Sequence, residues 1–265
     1  MKDFLSTAVG AGKLWYHKDA GAKAAVVSYY MLFAITPILL LTVSVTGFLY
    51  GKELVVKMFN SWGTVLGEDM LILLHEAVLN LEVVTQSQLP LFAVIFFSVM
   101  IVLMCNAFSS GLQQLWGTQK KGLIILVLKS ARSLLFIVIF ELYLVVLIGF
   151  ALLLDGMHPG LLRMFLDAFL FTIASAILFS LMYSVLVTKS PPLRCRLVGG
   201  FIASILFLLA RWFVAWYVLT TPVPGLFGTA GLILVLLIWV YVSVSVIYYG
   251  AAFAHVNYTK RLCAE

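Results

Sequence analysis

Six stretches of this chain are apolar for long enough to cross a hydrocarbon core, which takes about 20 residues of helix. They run over approximately 24–50, 90–112, 134–154, 164–187, 197–219 and 226–254. Pro90 suits the first turn of the second, where a missing N–H is harmless. The first connection, 51–89, is the only sizeable one. Within its "GEDMLILLHEAVLNLEVV", Met70, Leu73, Leu74, Ala77, Val78 and Leu81 recur at helical spacing, and Glu68 and Asp69 stand where the helix dipole favours negative charge. The pattern predicts an all-α polytopic membrane protein. It has six transmembrane helices in one membrane domain over 1–265, and a short amphipathic helix in the first outer loop. That short helix reads either as a lid packed on helix ends or as a gate over a cavity.

Composition sharpens this picture. The chain is 63% hydrophobic and 11% charged, against about 25% charged in a soluble domain. No soluble fold of 265 residues hides that much apolar surface. The first 23 residues mix polar and apolar positions without a long apolar core, so a cleaved signal peptide is not expected.

Charge gives the orientation. Of 17 Lys and Arg residues, 13 fall in the N-terminal segment, the second-to-third and fourth-to-fifth connections, and the tail. Only Lys52, Lys57 and Arg163 fall on the other side, and Arg211 lies inside a span. Positive residues concentrate on the cytoplasmic side, so both termini are expected there. The same distribution explains the net charge of +6 as a complement to anionic headgroups, with no basic patch suited to nucleic acid.

The chemistry of catalysis is absent from the pattern. His17, His75, His158 and His255 are isolated, and no metal-binding pair, nucleophile elbow or phosphate loop appears. No catalytic residue, cofactor or metal is therefore expected. Cys105, Cys195 and Cys263 are far apart and read as reduced structural thiols. No internal repeat stands out.

Charge inside the spans is more telling. Glu141 lies in "LLFIVIFELYLVVLIGF" and Arg211 in "FIASILFLLARWFVAWYVL". Each costs about 2.5–3.5 kcal/mol near a helix centre on insertion scales, so such residues face a bundle interior or water. On the predicted boundaries Glu141 sits about 10 Å into its span and Arg211 about 20 Å. Asp167, about one turn inside its own span, is the rival partner for Arg211. The three form a polar site that is either an internal clamp, or a place for an anionic headgroup or a proton relay.

Other polar positions form stripes. Asn106, Ser109, Ser110 and Gln113 share a face, Tyr29 and Thr36 lie seven residues apart, and Ser180, Ser184 and Thr188 make a ladder. Hydroxyls are also the ordinary glue of membrane helices, so packing competes with substrate lining for each stripe. Pro37 frees a carbonyl near Phe33 and marks a bend, with Ser28, Tyr29 and Tyr30 on its cytoplasmic side.

The stretch "AAVVSYYMLFAITPILLL" resembles the opening helix of the YihY/BrkB family of bacterial inner-membrane proteins, through Ser28, Tyr29, Tyr30, Phe33 and Pro37. "GLFGTAGLILVLLIWVYVSVSVIYYGAAFAHV" is similar to the family's last helix, with Trp239, Tyr241, Gly250 and Ala251 in the matching places. "CNAFSSGLQQLWGTQKK" resembles its segment after the second helix, through Asn106. The family's closing Gly-Ala-Glu has no acidic counterpart here, since Ala252 stands in its place. The resemblance implies six helices with both termini inside, in the bacterial inner membrane. It implies roles in the envelope, in virulence or in moving a lipid or other amphiphile; an older ribonuclease label on the family is regarded as mistaken.

The expected function is a transporter or flippase for an amphiphilic, anionic envelope molecule. The alternative is a non-transporting envelope or scaffold protein. The expected partners are membrane lipids and a second copy or an envelope protein, not nucleic acid.

Overall fold

A computed structural model describes residues 2–51, 91–118, 123–155, 160–187, 192–220 and 229–262. The predicted outer-loop helix, with Pro90, His75, His158 and Thr188, lies outside the described residues. Seven helices are described: α1 (Lys2–His17), α2 (Ala20–Tyr50), α3 (Leu91–Leu115), α4 (Leu123–Asp155), α5 (Leu161–Leu186), α6 (Leu193–Thr220) and α7 (Thr229–Leu262). Among the described residues, Ser98–Leu115, Leu161–Leu186, Leu193–Tyr217 and Ile233–Lys260 are long and apolar enough to cross a membrane. Shorter apolar runs, Ala20–Ile35 and Leu135–Ala151, lie within α2 and α4. The secondary structure of the described residues is thus all helical, with these four candidate spans.

Two helical segments extend beyond the predicted spans. The first 23 residues, read as a mixed segment, contain α1, a four-turn helix packed along α7. Tyr249 donates its hydroxyl to the Ala8 carbonyl at 3.0 Å, and Trp15 Nε1 donates to the Ser245 carbonyl at 3.3 Å. The period is visible once the partner is known: Ala8, Ala11 and Trp15 turn inward while Leu5, Val9 and Tyr16 stay exposed. Secondly, α4 is helical from Leu123, eleven residues before the predicted span begins at 134. The apolar "LIILVL" carries the helix across Lys129 and Arg132, which end an apolar run but not a helix.

Pro37 does not end α2, which continues as helix to Tyr50. Neighbouring helices tolerate a freed carbonyl in this setting, as membrane helices generally do.

The helices pack in a closed series in which each of α2 to α7 touches the next and α7 returns to α2. Pairs of contacts fix their directions. Thr42 meets Glu141, and eight residues further along both helices Tyr50 meets Gly149, so α2 and α4 run parallel. Phe108 meets Tyr248 and Trp116 meets His255, so α3 and α7 run parallel. Against them α6 is reversed, with Gly199 facing Gly250 and Phe207 facing Trp239. It is reversed against α5 too, with Gly200 on Ser180 and Arg211 on Asp167.

Small residues let α6 sit this close to both neighbours. A Cβ on Gly200 would lie 2.7 Å from the Ala176 carbonyl oxygen of α5. On the adjacent face, a Cβ on Gly199 would lie 2.7 Å from the Gly250 carbonyl oxygen of α7. Close backbone approach is the main source of helix–helix attraction where lipid competes equally for apolar surface. The fully buried Tyr183 and Tyr248 complete the core, donating to the carbonyls of Ile247 at 2.8 Å and Phe108 at 3.1 Å.

Candidate functional site

The intramembrane charges fall into two separate groups. Glu141, buried on α4, faces α2, where the Thr42 hydroxyl lies 3.0 Å and 2.9 Å from its two carboxylate oxygens. The same hydroxyl also lies 2.9 Å from the Ile38 carbonyl. Thr46, one turn on, spends its own hydroxyl on the Thr42 carbonyl. A β-branched hydroxyl residue within a helix keeps its backbone bonded this way while presenting its oxygen to a neighbour.

Arg211 belongs to the second group. Its Nη2 lies 3.3 Å from Asp167 Oδ2, joining α6 to α5. The guanidinium carbon stands 4.8 Å from the centre of the Phe171 ring, one turn along α5 from Asp167. Both charged side chains are about half exposed, 43% for Arg211 and 48% for Asp167. On the same two helices Phe165, Phe169, Trp212, Phe213 and Trp216 are exposed as well. One turn along α5 from Phe171, the buried Ser175 hydroxyl lies 2.8 Å from the Tyr143 hydroxyl of α4.

Glu141 and Arg211 are therefore not partners. Depth separates them too: Tyr143, two residues past Glu141, meets Ser175, whereas Arg211 meets Asp167, two turns away along α5. Facing decides the matter: Glu141 turns to α2, while α6 packs chiefly on α5 and α7. Of the two settings expected for Arg211, a bundle interior or water, its half-exposed side chain at the α5–α6 seam fits the open one.

The remaining sequence-predicted residues do not join either group. Ser28 is buried and spends its hydroxyl on the Ala24 carbonyl at 2.9 Å. Tyr29 is 59% exposed and stacks edge-on with Tyr30 and Phe33. Pro37 is half-buried, and the Thr36 side chain lies outside what is described. Of the α3 stripe, Ser109 and Gln113 donate to the Leu186 carbonyl at 3.4 Å and 3.2 Å, capping the last residue of α5. Asn106 Oδ1 is buried without a hydrogen bond among the described residues. Trp239 and Tyr241 pack on Phe207 and beside Gly21, and Gly250 is the contact with Gly199.

Sequence reasoning missed Thr42, Tyr143, Ser175 and Phe171. Thr42 carries a weak signal, a polar β-branched residue in an apolar run. That signal becomes specific only when α2 and α4 are known to run parallel.

An all-helical bundle with apolar runs of this length and charges held between them is an integral membrane protein. The chain belongs to the Virulence factor BrkB family, whose model matches residues 15–263. The likeness read from the first and last helices is thereby established. A UPF0761 membrane protein of Alcanivorax borkumensis is 26% identical over 86% of this chain and 54% of its own length. One from Glaesserella parasuis is 24% identical over 67% of this chain and 65% of its own length. One from Alkalilimnicola ehrlichii is 33% identical over 31% of this chain and 18% of its own length. The chain thus spans less than two thirds of the length of each of these relatives. No solved structure matches.

Proposed function

We propose that this protein moves an amphiphilic envelope molecule with a charged headgroup, such as a lipid, across the bacterial inner membrane. One observation carries the reading: the Arg211–Asp167 pair stands half exposed between two helices that also expose aromatic side chains. Charges within an apolar span are expensive, and a pair buried for stability is commonly no better than apolar packing. An exposed pair at the lipid boundary instead offers a polar foothold to a headgroup. The aromatic rings flanking it suit the same interface.

In this reading the chain crosses six times, with both ends of this chain cytoplasmic. The parallel course of α2 and α4, and of α3 and α7, fits that count. The charge distribution supports the orientation. The protein is not an enzyme, binds no nucleic acid, and meets membrane lipids and a second copy or an envelope protein. Headgroup movement in reconstituted vesicles tests the proposal, with Arg211→Gln as the decisive variant.

The alternative, a scaffold without transport, draws on the glycine contacts at Gly199, Gly200 and Gly250, which make α5, α6 and α7 a close-packed block. That reading predicts no protein-dependent lipid movement and a partner protein that co-purifies from the envelope.

A further inference from the structure

We propose that the Arg211–Asp167 pair selects a zwitterionic headgroup carrying both phosphate and a primary ammonium, in preference to an anionic one. This rests on the functional reading above and narrows the anionic ligand class expected from sequence.

The argument begins with charge. A lone arginine at a lipid boundary attracts any phosphate. Here the arginine is already matched by a carboxylate 3.3 Å away, so the pair itself has no net charge. A phosphate with no countercharge, entering beside Arg211, also approaches Asp167. Like charges placed together in a medium of low dielectric repel strongly. A headgroup with an ammonium a few bonds from its phosphate avoids this, since it sets its own pair antiparallel to the protein's. Phosphate meets guanidinium, ammonium meets carboxylate, and all four charges are neutralised.

The geometry leaves room for that exchange. Each side chain is about half exposed, so each retains an open side while bonded to the other. Phe171 holds one face of the guanidinium, which leaves its edge for hydrogen bonds. A primary ammonium is favoured over a quaternary one because it donates hydrogen bonds to Asp167.

The test is a binding competition, independent of transport. Purified, delipidated protein in detergent is mixed with equimolar short-chain phosphatidylethanolamine and phosphatidylglycerol, and bound lipid is read by native mass spectrometry. The expected result is a preference for the ethanolamine lipid of roughly five- to tenfold, since a single charge-assisted hydrogen bond is worth about a decade in affinity. Asp167→Asn abolishes or reverses that preference, and Arg211→Gln weakens binding of both lipids. Equal binding of both lipids by the unaltered protein overturns the proposal without needing any variant. A preference that survives in Asp167→Asn also overturns it. So does free phosphoethanolamine that competes as well as the lipid, which would assign the site to a soluble ligand. Ethanolamine-selective binding without lipid movement in vesicles leaves the site standing and removes the transport reading.

Discussion

Thr42 of α2 and Glu141 of α4 meet across the bundle, with the threonine hydroxyl 3.0 Å and 2.9 Å from the two carboxylate oxygens. The carboxylate is buried, and Thr42 is its hydrogen-bond donor among the described residues. Thr42→Val keeps the shape and removes the donor. An unsatisfied buried polar group costs about 1–3 kcal/mol, so unfolding of Thr42→Val in detergent should shift downward accordingly. Thr42→Ser should fall well short of that loss. Equal stability of Thr42→Val and the parent protein would remove Glu141 from the α2–α4 seam.

Gly250 and Gly12 should respond oppositely to alanine. A Cβ at Gly250 would lie 2.8 Å from the Gly199 carbonyl oxygen and 2.6 Å from the Ala203 Cβ, and backbone does not yield cheaply. Overpacking of this kind costs about 1–3 kcal/mol. Gly12, in α1, has no atom within 4 Å of the same position. Gly12→Ala should stabilise by about 0.5–1 kcal/mol through helix propensity alone. Thermal unfolding of the two variants side by side measures the contrast.

The Gln113 side chain supports α5 from α3. Gln113→Leu removes the donor 3.2 Å from the Leu186 carbonyl and leaves Ser109, at 3.4 Å, as the remaining cap from α3. A net loss of about 1 kcal/mol is expected. Hydrogen exchange should show the last turn of α5 opening more readily, while the middle of α5 keeps its protection.

The proposed crossings predict labelling from opposite sides. Gly160 precedes α5 and Leu193 begins α6, and both are exposed. In a background without the native cysteines, Gly160→Cys should react with a membrane-impermeant maleimide in intact spheroplasts. Leu193→Cys should react only after the membrane is broken. Labelling of both from one side contradicts a membrane crossing by α5.

Much of the architecture is legible in the sequence because an apolar run must be a helix when lipid surrounds it. Ser98–Leu115, Leu161–Leu186, Leu193–Tyr217 and Ile233–Lys260 are helices long and apolar enough to cross a membrane for that reason. Two boundaries escape it. Lys129 and Arg132 interrupt the hydropathy of α4 without interrupting its hydrogen bonds, and α1 is too mixed to register without its partner α7. The charged residues of the site were legible as an anomaly, but their pairing was not. Depth along a helix follows from counting, while the facing of Glu141 toward α2 and of Arg211 toward α5 depends on which helices are neighbours. That neighbour relation is set by residues such as Gly199 and Gly200, whose significance lies in what approaches them.

The central claim is that the Arg211–Asp167 edge of the α5–α6 seam gives a lipid headgroup a foothold during its passage across the membrane. Its most direct measurement uses proteoliposomes containing a headgroup-labelled phospholipid, with loss of signal to a membrane-impermeant quencher followed in time. At equal protein, the unaltered chain should move lipid faster than protein-free vesicles, and Arg211→Gln should fall to the protein-free rate while remaining folded. Movement by Arg211→Gln at the unaltered rate, or no movement above protein-free vesicles by either protein, would contradict the account.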